Sequence, residues 1–231
     1  MHRRLASIFT AVVLALAVPV IATDSAAQGG GQQPAPANKT EAKVAAVQAF
    51  YDKTTTFVSD FTQEFFVKSH NLRKESKGNV TFVKPGKMSW DYSNPAGNRV
   101  VSDGNVLKVH EAANKQMFEQ KVDKSQYPAA LAFLTGSGKL GEIFTFEMYP
   151  GAAMNFAGGD VLVGTPKTAT PAYTKVLFYV DSQSSQVRRV LIVDGQGNRN
   201  RFDFENPKVN VQVPDDKFNF NPPAGTQVIK P

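Results

Sequence analysis

The chain has 231 residues, 42% of them hydrophobic and 20% charged, with no cysteine and a formal net charge of +6. That length accommodates one sizeable domain, and the composition excludes a globally disordered chain. The absent thiols exclude disulfides, thiol nucleophiles and thiolate metal sites, while the modest basic excess suits anionic lipid headgroups or acidic partners as readily as a solvated surface.

Residues 1–27 read as a secretory signal peptide, with Arg3 and Arg4 ahead of an apolar run and small residues behind it. The run ends at Pro19, short of the ~20 residues that span a bilayer. Ser25-Ala26-Ala27 places the cut after Ala27, with Ala22 as the alternative, and no cysteine follows to carry a lipid anchor. Losing Arg3, Arg4 and Asp24 with this leader brings the formal charge to +5. Residues 28–39, rich in Gly, Gln, Pro and Ala, read as a flexible linker, and 40–231 as one domain. A helix is expected from Thr40, its N-cap, with Val44, Val47, Phe50 and Tyr51 as an apolar stripe. It ends by the β-branched run Thr54-Thr55-Thr56.

From Phe57 the period is two: Phe57, Phe61, Phe65 and Val67 share a face, and Phe66 breaks the pattern on the other. A hairpin through Asn71 leads to a strand over 72–84. Pro85-Gly86, Asn94-Pro95 and Asp103-Gly104 then punctuate a meander in which Met88, Trp90 and Tyr92 share one side. After a strand over 116–122 the period changes. Residues 125–140 hold Pro128 near a helix start, then Ala129, Ala130, Leu131, Phe133 and Leu134, with Gly136 and Gly138 as stops. Strands resume with Phe144, Phe146 and Met148, then Val161 and Val163, Val176, Phe178 and Val180, Val190 and Ile192, and finally Phe202 and Phe204. This adds up to about ten or eleven antiparallel strands and two short helices, a mainly β chain.

Catalytic signals are poor. His70 and His110 read as exposed turn histidines outside any metal-ligand spacing, so neither a metal nor another cofactor is expected. Asp103, Asp181 and Asp194 fall where Asx turns explain them. Gly136-Ser-Gly-Lys139 lacks both the first Gly and the Ser/Thr of a phosphate loop. Arg188, Arg189, Arg199 and Arg201 lie near Phe202 and Phe204, as in some single-strand binders, but the RNP order is absent and nucleic acid is not the expected partner. The larger signal is apolar. Phe57, Phe61, Phe65, Met88, Trp90, Phe144, Phe146, Met148 and Phe178 fall on one sheet face, with two short helices to cover it. Such a face makes either a filled core or the wall of a lipid-sized hollow.

Lys84-Pro-Gly-Lys-Met-Ser-Trp-Asp-Tyr92, then Ser-Asn-Pro95 and Val100-Val-Ser-Asp-Gly104, resembles the signature of the LolA family. Phe57-Val-Ser-Asp-Phe-Thr-Gln63 upstream and Phe218-Asn-Phe-Asn-Pro-Pro-Ala-Gly-Thr226 downstream fit in order, so the resemblance covers most of the chain after the leader. It implies an incomplete antiparallel β-barrel with a short-helix lid over a hydrophobic cavity. It also implies a non-enzymatic, monomeric periplasmic carrier that takes acylated lipoproteins from an inner-membrane ABC-type release complex to the outer membrane, through a LolB-like acceptor where one is present. On this resemblance the nine inner-face residues above line the acyl cavity, and Ala129, Ala130, Leu131, Phe133 and Leu134 belong to the lid. Lys84 stands where the family usually has a lid-latching Arg, whose planar fork Lys lacks. A regulatory or sensor module on the same fold, binding lipid or protein without transport, is the alternative.

Overall fold

The computed structural model describes residues 35, 37–122 and 138–230. The expected leader, most of the expected linker and the lid residues Ala129, Ala130, Leu131, Phe133 and Leu134 lie outside the described residues. The first helix, α1 (Ala37–Asp52), is followed by β1 (Thr56–Val67), β2 (Leu72–Val83), β3 (Lys87–Asn94), β4 (Ala96–Asp103), β5 (Val106–Glu111) and β6 (Gln116–Lys121). A helical turn at Leu140–Ile143 then precedes β7 (Phe144–Pro150), β8 (Gly159–Pro166), β9 (Lys175–Asp181), β10 (Val187–Val193), β11 (Arg199–Val209) and β12 (Gln227–Ile229). Helix α1 starts three residues before Thr40, which is buried inside it rather than capping it. Ala37–Lys39 therefore belong to the helix, and the stretch expected as linker is that much shorter.

Among the described residues the strands form one sheet in the order β12-β6-β5-β4-β3-β2-β1-β11-β10-β9-β8-β7. It is two antiparallel meanders, β1–β6 and β7–β11, joined where β1 pairs with β11. The sheet does not close: β7 and β12 stand at its two edges. Strand β12, which no alternation announces, is three residues long and pairs parallel with β6.

The sheet is strongly curled. Trp90 on β3 and Phe202 on β11 are three strands apart, about 14 Å in a flat sheet, yet their ring centroids lie 5.1 Å apart. Two glycines permit this crowding. A Cβ on Gly78 would lie 2.1 Å from the Asp91 carbonyl oxygen and 2.9 Å from the Phe61 ring, and one on Gly164 would lie 2.9 Å from the Phe146 ring.

The convex side is covered in two places. Val161, Leu177 and Tyr179 form a separate apolar cluster with Met154 and Phe156, so β9 is buried on both faces and its sequence is continuously apolar. Over β3–β6 runs the C-terminal segment. Phe218 is buried, Phe220 lies 5.3 Å from both the His110 ring and the Arg99 guanidinium, and Lys87 pairs with Asp215 at 2.9 Å. His110 is thus buried at 4% exposure, with Nδ1 2.8 Å from the Gly97 carbonyl, rather than an exposed turn residue. The sequence hides this, because the covering Phe220 ring comes from a distant part of the chain. No described helix is long and apolar enough to cross a membrane.

Candidate functional site

Alternation sets which side chains reach the concave face. In the β1–β2–β3–β4 register, Phe57 faces Phe82 and then Met88, and Val80 faces Trp90 and then Val100. On the other meander, Met148, Leu162, Phe178, Val190 and Phe202 form one cross-strand row. The rings meet edge to face: Phe61 lies 4.9 Å from Trp90 and 5.1 Å from Tyr92, Phe82 lies 5.7 Å from Trp90, and Phe144 lies 5.7 Å from Phe178. Aromatic pairs of this geometry are worth about 0.5–1.5 kcal/mol each beyond their buried area.

The structure brings seven of the nine expected wall residues into one buried cluster: Phe57, Phe61, Met88, Trp90, Phe144, Met148 and Phe178. Phe146 is half-buried against it, 5.7 Å from Phe144 and 5.9 Å from Phe178. Phe65 keeps the inward parity but sits at the far end of β1, opposite Lys74 and Asn200, and stays outside the cluster. Val80, Phe82, Tyr92, Phe202 and Phe204 also belong to this cluster. Their period-two spacing is visible in the sequence, but only the register shows that they meet Trp90 and Phe61. A polar row adjoins the cluster: Tyr92 donates to Gln63 Oε1 at 3.1 Å, and Gln63 Nε2 donates to Asn200 Oδ1 at 2.9 Å. Burial pushes the Tyr92 phenol well above its usual range.

Helix α1 covers this face with Val47 and Tyr51 buried in the cluster and Val44 and Phe50 against it. Polar ties hold it at intervals. Lys43 pairs with Asp160 at 2.8 Å, and Gln48 Oε1 accepts the Leu140 N–H at 2.8 Å. The Tyr51 hydroxyl accepts the Val187 N–H at 3.1 Å, and burial pushes this phenol too above its usual range, so that it stays neutral. The Lys84 ammonium donates to the Tyr51 carbonyl, in the last turn of α1. Lys84 is therefore tied to α1, whereas the segment expected as its lid lies outside the described residues.

The turn carboxylates bind their own backbone. Asp103 accepts from Asn105 and Val106, and Asp181 from Gln183 and Ser184, which holds both carboxyls below the ordinary range. The basic strands form a convex ion-pair network, in which Asp203 receives Arg189, over the Tyr179 ring, and Arg201 at 2.8 Å. That network lines a cleft of about 470 Å³ with Arg188 and Glu205. Among the described residues no group of three or more His, Asp or Glu is arranged to hold a metal ion.

The family model for the outer membrane lipoprotein carrier protein LolA matches residues 52–221. The chain is 28% identical over 184 residues to an outer-membrane lipoprotein carrier protein of Bordetella avium (strain 197N), covering 80% of this chain and 85% of that one. It is likewise 28% identical over 189 residues to the carrier of Ralstonia nicotianae, covering 80% and 85%. Among solved structures, an uncharacterised conserved protein from Thermus thermophilus shares the fold with a TM-score of 0.51 at 11% identity, covering 84% of this chain and 99% of that one.

Proposed function

The chain belongs to the LolA family of outer-membrane lipoprotein carriers, and from that premise we propose that it holds lipoprotein acyl chains against its concave aromatic face. The observation that carries this reading is the pairing of a continuous ring-lined wall with a cover, α1, held by a few separable polar ties. Loosening α1 exposes apolar surface of the kind that accepts acyl chains, and closing it returns that surface to a packed state. Phe57, Phe61, Met88, Trp90, Phe144, Phe146, Met148 and Phe178 are the wall in this reading, with Phe65 at its rim. Ala129, Ala130, Leu131, Phe133 and Leu134 supply a second part of the lid. Lys84 is the latch on α1.

The protein works in the periplasm after residues 1–27 are removed. It accepts lipoproteins from an inner-membrane ABC-type release complex and passes them to a LolB-like acceptor, or directly to the outer membrane. Cargo and wall exchange without covalent chemistry, so no residue is assigned a catalytic role.

Trp90 is the sole tryptophan and reports directly on the wall. Adding a purified triacylated lipoprotein to the periplasmic protein is expected to keep the lipoprotein soluble and to shift Trp90 emission. Met88→Glu is expected to lower that affinity at least about ten-fold, because a carboxylate on an apolar wall is costly to desolvate. Phe146→Ser, at a half-buried position, serves if Met88→Glu does not fold. A folded wild-type protein that leaves the lipoprotein aggregated would overturn the proposal.

A further inference from the structure

The end of the sheet remote from Lys84 carries cations on both of its faces: Lys74 lies opposite inward-parity Phe65, and Arg73 and Arg199 lie over outward Phe66. Strand β1, about 36 Å long, separates this end from the Lys84 tie. The β1–β2 hairpin turns through a 3-10 segment at Lys68–His70 and Asn71 in the left-handed region (φ 47). The Lys68 N–H donates to Asn198 Oδ1 at 3.0 Å, and the Lys68 stem lies over Gly197, where a Cβ would sit 2.9 Å from Cδ. The β10–β11 turn is thereby locked to the hairpin tip.

Residues 68–74 and 196–199 contain Lys68, Arg73, Lys74 and Arg199, and no Asp or Glu. Two of these cations are fixed in place, for the guanidiniums of Arg73 and Arg199 each stand 4.7 Å from the ring centre of buried Phe66. Carboxylates flank these segments, and one of them, Asp194, stands in the β10–β11 turn itself. Glu64 pairs with Arg73 at 2.9 Å, Glu75 lies opposite Glu64 in the register, and Asp194 accepts N–H groups of Gln196 and Asn198 in its own turn. Leu72, the first residue of β2 and paired with Val67 just behind the turn, is 42% exposed, one of two large hydrophobics so exposed among the described residues.

We propose that this end docks on the surface of an anionic phospholipid bilayer. Leu72 enters the headgroup boundary while Lys68, Lys74 and the two clamped arginines face lipid phosphates. One exposed apolar side chain beside cations on both faces of the sheet end matches a charged surface with an apolar interior. The inference stands on this end of the sheet alone and does not require that the concave face hold an acyl chain.

The test is flotation of the periplasmic protein with vesicles of phosphatidylcholine alone, or of phosphatidylcholine doped with phosphatidylglycerol. Binding is expected only to the doped vesicles, and is lost at high salt as the screening length shortens. A basic side chain near an anionic surface contributes about five-fold, so Lys68→Gln with Lys74→Gln should weaken binding roughly 25-fold. Leu72→Ser should weaken it several-fold without changing the salt dependence. Lys53→Gln with Lys208→Gln removes the same charge from exposed positions at the other end and should change binding little. All these side chains are exposed or at the tip, so thermal unfolding should confirm that every variant folds. Equal losses from both double variants, absent binding to doped vesicles, or equally tight binding to polyglutamate that ignores Leu72→Ser would overturn the proposal.

Discussion

Lys84 sits between a charge that prefers water and a carbonyl that needs a donor. Burial holds its ammonium below the ordinary lysine value of 10.5, and the Asp52 carboxylate offsets part of that shift. In the unfolded chain the ammonium titrates normally, so the folded state binds the proton less strongly. The charged form therefore costs stability at neutral pH, and that cost is relieved as pH rises from the lowered folded value towards 10.5. Lys84→Met removes both the penalty and the tie to Tyr51. A charged hydrogen bond open to water on one side is worth about 1 kcal/mol. The expected result is faster hydrogen exchange in the last turn of α1 with the sheet unchanged, and a stability gap that shifts in favour of wild type at alkaline pH. Unchanged exchange over residues 47–54 would make Lys84 a turn residue only. The lysine's position is legible from its place before Pro85-Gly86. Its partner is not, because the Tyr51 carbonyl lies 33 residues earlier. The Tyr51–Val187 contact is still less accessible, since 136 residues separate the two.

At the level of elements, alternation finds most of β1 to β11, because a strand with one buried face prints its period in the sequence, while β9, buried on both faces, shows as a continuous apolar run. It fails where another force sets the structure. Strand β12 is defined by parallel pairing to β6, and the start of α1 by helix propagation through Ala37–Lys39. Phe66 breaks the period because its outward ring is paired with two guanidiniums rather than with the core. Strand β8 offers a test of how tightly the wall is set. A side chain at Gly164 meets the rings of Phe146 and Phe144, at 2.9 and 3.1 Å from its Cβ. Gly164→Val should therefore destabilise by about 1–3 kcal/mol through overpacking, lowering the thermal midpoint by several degrees. Gly141→Ala meets nothing within 4 Å in a helical turn and should be neutral or slightly stabilising. Equal effects from the two would mean that the rings near Gly164 give way freely, and that the wall is loose there.

For the whole molecule, the pairing of β1 with β11 governs how the chain reaches its native state. Each meander consists of neighbours in sequence, whereas Ser59 and Glu205 meet across 146 residues. Closing a loop of that size costs roughly 4 kcal/mol of chain entropy before any contact across it forms. The meanders should thus assemble early and their docking should limit the folding rate. Until then Phe57, Phe61, Phe202 and Phe204 stand uncovered, and the chain is most prone to self-association in that interval. In stopped-flow denaturant-jump experiments, Phe204→Leu should slow refolding, whereas Val163→Ala in the convex cluster should chiefly speed unfolding. The reverse pattern would place the rate-limiting event inside a meander. If docking does come last, a chain emerging from a secretion channel with its N-terminus first carries a half-built sheet until β11 has followed. The abundance of folded protein then depends on how quickly the last third of the chain is delivered, a vulnerability that lies in the strand order and not in any one side chain.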